Sequence, residues 1–251
     1  MKKSLRVAAA AMGLLMGVNV YATAAAPSIR PTNSDDQASS NTFEDRLLFA
    51  DSFDDDQSSL ELYGSAAVQD GALVLDGSSG GYAQLTDDDL LADQTELTVS
   101  FDVKTESGTN TYFTFAIGQD RNKYLFVKTE PNYFRTSITQ NTWSGESTAG
   151  ANLSESASGV WKNVTVTLSE DTLSLYVDGA LLAEKAPINA TLQDLGDNPL
   201  IYFGKSLYAE DGYFKGSYDN VKIYSGAMTA DEVSQAYEDS LGAVSYTHLR
   251  A

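Results

Sequence analysis

The sequence predicts an all-β protein, an antiparallel β-sandwich that ends in one short C-terminal helix. Short apolar runs recur between Gly, Asn and Asp turn signals from Leu47 onward. Several of these runs alternate with polar residues, as Leu97, Val99, Phe101 and Val103 do. A period of two indicates strands that are buried on one face. Many short strands and a single late helix favour an antiparallel sandwich over a βαβ protein.

Residues 173–184, LSLYVDGALLAE, contain the strongest local signal. Two apolar runs flank Asp178-Gly179, and an Asp-Gly pair between such runs predicts a hairpin with a two-residue turn. Residues 212–232, GYFKGSYDNVKIYSGAMTADE, predict a strand followed by a helix, because Thr229 and Glu232 form a T-x-x-E capping box.

The remaining strands follow from the same apolar runs, taken in order along the chain. We predict strands at 47–53, 72–75, 82–85, 97–103, 112–117, 124–128, 134–139, 164–168, 173–177, 200–203 and 218–224.

The N-terminal residues predict export. Lys2, Lys3 and Arg6 precede an apolar stretch and small residues, a pattern typical of a secretory signal peptide, here residues 1–24. Residues 25–45 are polar and aperiodic and predict a disordered leader.

The folded domain is predicted at residues 46–240. Residues 243–251 break the pattern and are interpreted as a non-native tail, which removes the single histidine, His248, from the catalytic candidates.

The net charge of the chain restricts the classes of partner that it can bind. The formal net charge is −19, and it becomes more negative once the signal peptide is removed. Such a chain repels phosphate backbones and anionic lipid, so we expect neither nucleic acid nor a membrane as partner. There is no cysteine, so disulfides do not stabilise this exported protein.

Three segments together resemble the laminin-G-like (LamG) domains of the concanavalin A-like lectin/glucanase superfamily, as found in secreted bacterial proteins. They are the tryptophan-led strand at 160–167, the YVDG turn, and KGSYDNVKIY near the end. The resemblance covers about residues 47–239 and implies a jelly-roll sandwich. Members of the family mostly bind sugars, and some cleave them.

The resemblance also allows a test for catalysis. Family 16 glucanases carry three carboxylates on one strand as E-x-D-x-E, two of which flank the scissile bond. The matching strand here is 111–118, and the three positions hold Thr111, Phe113 and Phe115. None of these side chains can serve as nucleophile or general acid, so we expect a module without catalytic activity.

The resemblance further implies one structural calcium ion. Its ligands would be the carbonyl groups of Ser52 and Gly71 and the carboxylate of Asp219, an all-oxygen set of the kind that calcium prefers. Asp51 and Asp54 are alternative ligands, and Asp219 as an ordinary turn-capping residue is the alternative to a metal site.

Sugar sites pair an aromatic platform with a few polar groups that fix the hydroxyls. Trp143 lies in the polar segment QNTWSGES and is a candidate exposed platform, whereas Trp161 precedes an apolar run and is expected in the core. Further sugar-binding candidates border turns that are rich in Asp, Asn and Gly: Tyr133, Tyr208, Tyr213 and Asp211.

Taken together, we expect a secreted carbohydrate-binding module whose partner is a polysaccharide or glycan. It would be a fragment of a larger polysaccharide-degrading enzyme, with a covalently linked catalytic domain. One alternative is an accessory domain of a family 43-type glycoside hydrolase that packs on the catalytic domain without binding sugar. Another alternative is a laminin-G-type adhesion domain.

Overall fold

The structure, a computed structural model, describes residues 42–54, 57–87, 89–106 and 112–247, with side chains as far as Gly242. The predicted signal peptide, nearly all of the predicted leader, and His248 therefore lie outside the described residues. The elements are β1 (Leu47–Asp51), β2 (Glu61–Tyr63), β3 (Ala67–Gln69), β4 (Ala72–Asp76), β5 (Tyr82–Leu85), β6 (Leu97–Thr105), β7 (Phe115–Asp120), β8 (Lys123–Glu130), β9 (Tyr133–Thr139), β10 (Ser147–Asn152), β11 (Trp161–Leu168), β12 (Leu173–Val177), β13 (Ala180–Lys185), β14 (Leu200–Phe203), β15 (Lys215–Ser225) and α1 (Ala230–Thr247).

The strands form two antiparallel sheets, so the predicted fold class is confirmed. Sheet A has the order β13-β12-β11-β6-β15-β4-β3, with β1 also paired to β15, and sheet B has the order β10-β9-β8-β7-β14-β5-β2. Side chains from the facing surfaces of both sheets meet in one apolar core. Phe115 of β7 lies 5.8 Å from Phe101 of β6 and 5.1 Å from Phe203 of β14, measured between ring centroids. Each fully buried phenylalanine contributes roughly 1.5–3 kcal/mol to folding.

The predicted hairpin is confirmed. Strands β12 and β13 pair through Val177 and Ala180, directly around the Asp178-Gly179 turn. Both turn residues have positive φ, 49° at Asp178 and 75° at Gly179, as a type I′ turn requires. The ring of Tyr237 on α1 lies against this turn, 2.8 Å from the position that a Cβ on Gly179 would take.

Gly179→Ala is expected to destabilise the protein more than Gly71→Ala. Gly71 also follows an aspartate in a turn with positive φ, 71°, but nothing lies within 4 Å of its Cβ position. The left-handed backbone costs about 1–2 kcal/mol in both variants, and displacement of Tyr237 adds about 1 kcal/mol or more in Gly179→Ala only. Urea unfolding in the presence of a calcium chelator measures both values. Equal losses would show that α1 does not press on the turn.

The capping box at the start of α1 is also confirmed. The Thr229 N–H donates to Glu232 Oε2 at 2.8 Å, and the Glu232 N–H donates to Thr229 Oγ1 at 3.3 Å. Arg46 pairs with the same Glu232 carboxylate and ties the N-terminal segment to the helix. Side chains Met228 and Val233 pack on Tyr176 and Tyr224, so α1 covers part of the outward face of sheet A.

Two domain boundaries differ from the predicted ones. Residues Phe43–Arg46 form a 3₁₀ helix, so regular structure begins within the segment that was predicted as a leader. The helix α1 has 18 residues, is not short, and continues through residues 243–247 of the predicted tail. Its later turns need no capping signal of their own, because a helix propagates easily once its first turn has formed.

Candidate functional site

The strand that matches the catalytic strand of family 16 glucanases was predicted at residues 111–118, and the structure arranges this segment differently. Thr111 lies outside the described residues, and β7 begins only at Phe115, which points into the core. Phe113 instead packs with Tyr124 and Phe126 in a separate cluster on the outward side of sheet B. A single strand over residues 111–118 would place Phe113 and Phe115 on one face, but they lie on opposite sides of sheet B, because the chain bends at Thr114 and the alternation restarts. The outward positions of β7 next to this cluster are Ala116 and Gly118, and neither carries an acid.

A cleft of about 290 Å³ opens beside the C-terminal end of β7 on the outward side of sheet B. Its walls come from the end of β7, from β14 and from the loop between β14 and β15. The lining residues are Gln119, Asp120, Leu200, Tyr202, Lys205, Ser206, Leu207, Tyr208, Ala209, Asp211, Gly212 and Tyr213. Apolar, aromatic and hydrogen-bonding groups are thus mixed, as in sites for polar small molecules.

The loop 204–214 is held close to the sheet by contacts that leave no space for a larger side chain. A Cβ at Gly212 would lie 2.4 Å from the Tyr112 ring, and a Cβ at Gly204 would lie 2.2 Å from Leu75 Cδ1, too close in both cases. Gly204 also has a φ of +83°, which an L-residue rarely adopts. These two glycines determine where Tyr208, Asp211 and Tyr213 are presented.

Trp143 lies on the neighbouring loop between β9 and β10 and is 72% exposed. The backbone N–H of Trp143 donates to the Tyr208 hydroxyl at 3.1 Å, so its loop adjoins the wall of the cleft. The preceding Thr142 has a φ of +56°, an unfavourable backbone for a β-branched residue. An exposed tryptophan on a strained, anchored loop is a typical feature of a binding surface.

A hydrogen-bonded network fixes this loop from beneath. The Tyr208 and Tyr124 hydroxyls are 3.2 Å apart, and Tyr124 donates to Glu146 Oε1 at 2.7 Å. Arg135 pairs with the other Glu146 oxygen at 3.4 Å and also lies 4.9 Å from the Phe126 ring centroid. Burial, reinforced by the hydrogen bonds to Tyr208 and Glu146, raises the pKa of Tyr124 well above its usual value. We refer to Tyr208, Tyr124, Glu146 and Arg135 as the anchor network.

The structure brings together most of the predicted sugar-binding residues. Tyr208, Tyr213 and Asp211 line the same cleft, and Trp143 is linked to it through Tyr208. Tyr133 does not line the cleft. It lies on β9, and its hydroxyl is 2.7 Å from the Cβ position of Gly150 on β10.

The prediction that Trp161 is a core residue is wrong. Its side chain is 40% exposed on the outward face of sheet A, and the Lys104 ammonium lies 4.9 Å from its ring. The apolar residues of β11 that enter the core are Val164, Val166 and Leu168, so the parity of the strand turns Trp161 outward.

Sequence reasoning missed Lys205 and Tyr82. The Lys205 ammonium lies 4.1 Å from the Tyr82 ring and 4.3 Å from the Tyr202 ring. Cation–π contacts join residues that are distant in sequence, and no local pattern indicates them.

The three predicted calcium ligands lie around one point of sheet A. Strands β1 and β4 pair with the same edge of β15, with partners at Val221 and Tyr218 respectively, on either side of Asp219. Ser52 directly follows β1 and Gly71 directly precedes β4. A bulge with Asn220 in a left-handed conformation, φ 49°, turns the chain at this point.

Asp219 is an unfavourable site for a bare charge. Burial, supported by the charges of Asp102, Asp54 and Asp51, raises the pKa of Asp219 to about 6. Within the described ranges it forms no ion pair. No group of three or more Asp, Glu, His or Cys side chains in these ranges is arranged to hold a metal, so a cation here would depend on carbonyl oxygens besides Asp219. This donor set fits calcium.

Comparison with known proteins agrees with the fold. Residues 76–234 match the Laminin_G_3 domain, described as concanavalin A-like lectin/glucanases superfamily. The chain belongs to this superfamily. A relative of this LamG-like domain is an alpha-L-arabinofuranosidase of Bifidobacterium longum subsp. longum, 30% identical over 186 residues, which are 68% of this chain and 17% of the relative. The chain therefore spans only a small part of that enzyme.

Two solved structures are similar to the LamG-like domain in fold. Domain 4 of AbnA, a GH43 extracellular arabinanase from Geobacillus stearothermophilus solved with arabinotriose, has a TM-score of 0.60 at 21% identity and covers 76% of this chain and 97% of that chain. The binding domain of botulinum neurotoxin serotype D/C has a TM-score of 0.64 at 12% identity, with coverages of 79% and 53%. Among the described residues, no helix has the length and apolar character needed to span a bilayer.

Proposed function

We propose that this LamG-like domain is a carbohydrate-binding module without catalytic activity that binds a neutral, arabinan-type glycan in the cleft beside β7. The observation that carries the proposal is the cleft itself, which combines Tyr208, Tyr213 and Asp211 with an exposed, anchored Trp143 at its border. Tyrosine and tryptophan rings can stack on the C–H faces of a sugar, and Asp211 and Gln119 can accept or donate hydrogen bonds to its hydroxyls.

The similarity to an arabinanase domain that was solved with arabinotriose, and to an arabinofuranosidase, supports arabinan as the ligand class. The outward positions Ala116 and Gly118 of β7 carry no acid, which supports a binding role. The acid of β7, Asp120, is its last residue and lies in the wall of the cleft. We further infer that the domain is exported, through the signal peptide predicted at residues 1–24, and that it accompanies a covalently linked glycoside hydrolase.

Titration of the mature chain with arabinotriose by calorimetry tests this proposal. Trp143→Ala is expected to weaken binding about tenfold, which corresponds to about 1.4 kcal/mol. Trp161→Ala is the matched control, because the other tryptophan of the chain lies on sheet A, and its replacement is expected to leave the affinity unchanged. Absence of binding to arabinan fragments, or release of reducing ends from arabinan by the purified chain, would contradict the proposal.

A calcium ion bound by the Ser52 and Gly71 carbonyls and the Asp219 carboxylate belongs to the same proposal. These residues lie at strands of sheet A, whereas the cleft lies on sheet B, so we assign the ion a structural role, in which it ties β1 and β4 to β15. When bound, it supplies positive charge next to a carboxylate that is otherwise unpaired within the described ranges.

One observation favours the packing role as a second candidate function. Three apolar side chains are exposed near the β12–β13 end of sheet A: Val160 at 48%, Trp161 at 40% and Leu181 at 51%. A neighbouring domain of a longer protein would bury such a surface. Crosslinking of this end to a catalytic domain, in a protein that binds no glycan, would favour this alternative.

A further inference from the structure

A row of polar and aromatic side chains continues from the cleft across β14, β5 and β2 on the outward face of sheet B. Tyr202 of β14 is opposite Gln84 of β5, and Gln84 is opposite Glu61 of β2. One step along the strands, Tyr82 is opposite Tyr63. The intervening Ala83 and Ile201 point into the core, which confirms that the row faces outward.

The rings of this row are held in fixed positions. Tyr63 and Tyr82 are stacked, with centroids 4.5 Å apart and an angle of 4° between their planes. The Lys205 ammonium, 4.1 Å from the Tyr82 centroid, cannot fit between two rings so close together and therefore lies on the opposite face of Tyr82. Both faces of Tyr82 are occupied, so Tyr82 acts as a spacer that positions Tyr63 and Lys205.

The polar groups of the row include both hydrogen-bond donors and acceptors. The Glu61 carboxylate accepts from the Tyr63 hydroxyl at 2.6 Å and remains exposed to solvent. Gln84 offers both an amide donor and an amide acceptor. No carboxylate lies within 4 Å of the Lys205 ammonium in the described part of the chain. The ammonium, amide and carboxylate groups along the row can form hydrogen bonds with the successive hydroxyl groups of a neutral sugar chain.

We propose that Gln84, Tyr63 and Glu61, which continue the row beyond the cleft residues Lys205 and Tyr202, form additional sugar subsites that bind the next units of the glycan held in the cleft. Three strand spacings of about 4.8 Å from β7 to β2 give a strip of roughly 14 Å, enough for a few linked sugar rings. The domain then recognises the interior of a polysaccharide rather than a chain end. This inference rests on the proposed function, because it extends the same site.

One positive and one negative side chain in the row favour an uncharged polymer. A uronate-rich chain would be repelled by Glu61, by Asp120 and Asp211 of the cleft, and by the net charge of −19. Neutral arabinan or xylan carries no charge and is not repelled electrostatically.

Calorimetric titrations with arabinotriose and arabinohexaose test the proposal. The wild-type chain is expected to bind the hexasaccharide about tenfold more tightly than the trisaccharide, because the ring and the polar groups of the added subsites contact the extra sugar units. In Tyr63→Leu and in Glu61→Gln, the trisaccharide affinity is expected to stay within about twofold, and most of the gain for the hexasaccharide is expected to be lost.

Tyr133→Leu is the matched control, because Tyr133 lies on β9, on the opposite side of the cleft from β2. Loss of the hexasaccharide gain in Tyr133→Leu but not in Tyr63→Leu would overturn the proposal, because the chain would then run toward β9. Equal wild-type affinities for the two sugars would overturn it too, while leaving the proposed function in place. Binding of neither sugar would instead contradict the proposed function. Thermal unfolding of each variant confirms that the fold is retained.

Discussion

Asp219→Asn is expected to make the calcium-free protein more stable at neutral pH and to remove its stabilisation by calcium. Burial raises the pKa of Asp219 to about 6, above the ordinary value of 3.8, so the folded state binds this proton more tightly than the unfolded state does. Without metal, the contribution of Asp219 to stability is greatest below about pH 4 and is lost as the pH rises through about 6. Asparagine has the same shape without the charge and removes this loss.

If calcium binds as proposed, we expect it to reverse the sign of the effect in the wild-type chain, because a bound cation favours the ionised carboxylate. At a calcium concentration of 100 times Kd, binding to the folded state alone adds about 2.7 kcal/mol. Differential scanning calorimetry with calcium and with a chelator, at pH 4.5 and pH 7.5, separates the two contributions. Asp211→Asn, in the cleft loop between β14 and β15, is expected to keep the full calcium response. A calcium response that persists in Asp219→Asn would contradict the assignment of Asp219 as a ligand.

Glu146→Ala is expected to destabilise the protein by roughly 2 kcal/mol and to weaken glycan binding at the same time. The Glu146 side chain is only 12% exposed and forms an ion pair with Arg135. It also accepts a hydrogen bond from the Tyr124 hydroxyl. Its removal leaves a guanidinium and a hydroxyl without their partner in a largely buried place. The loop that carries Trp143 then loses its support through Tyr124 and Tyr208.

Urea unfolding measures the stability change, and fluorescence anisotropy measures the mobility of Trp143 in a Trp161→Phe background, where Trp143 is the single tryptophan. Glu130→Ala is the matched control, since Glu130 forms a more exposed ion pair with Lys128 at 2.9 Å. Its loss is expected to cost less than about 1 kcal/mol. An unchanged Trp143 anisotropy in Glu146→Ala would show that the anchor network does not position the tryptophan.

Elements with strong local signals could be predicted from the sequence. The β12–β13 hairpin and the cap of α1 depend on residues that are adjacent or three apart, and the structure has them where the sequence places them. Strands β2, β3 and β10 were missed. The first two have only three residues each, and β10 reads STAGAN, which has no apolar alternation. These strands exist because neighbouring strands pair with them.

The candidate site could be predicted only in part. Tyr208, Asp211 and Tyr213 are recognisable as aromatic or polar residues of one loop. The link to Trp143 depends on a hydrogen bond between two loops that are 65 positions apart, which no local pattern indicates. The prediction for Trp161 was wrong for a different reason. Its apolar neighbours in sequence indicated burial, but the alternation of β11 places its side chain on the exposed face of sheet A.

The sequence by itself determined the antiparallel sandwich, the alternation of its long strands, the tight turn and the helix start, and it indicated that the E-x-D-x-E motif of related glucanases is missing. All of these are properties of short windows, because side-chain direction has a period of two in a strand and capping acts over three residues. Only the tertiary structure decided which aromatic rings meet, where Lys205 lies, and that Asp219 is half-buried between two strand ends. Those features arise from contacts between residues far apart in sequence, and no local pattern encodes them.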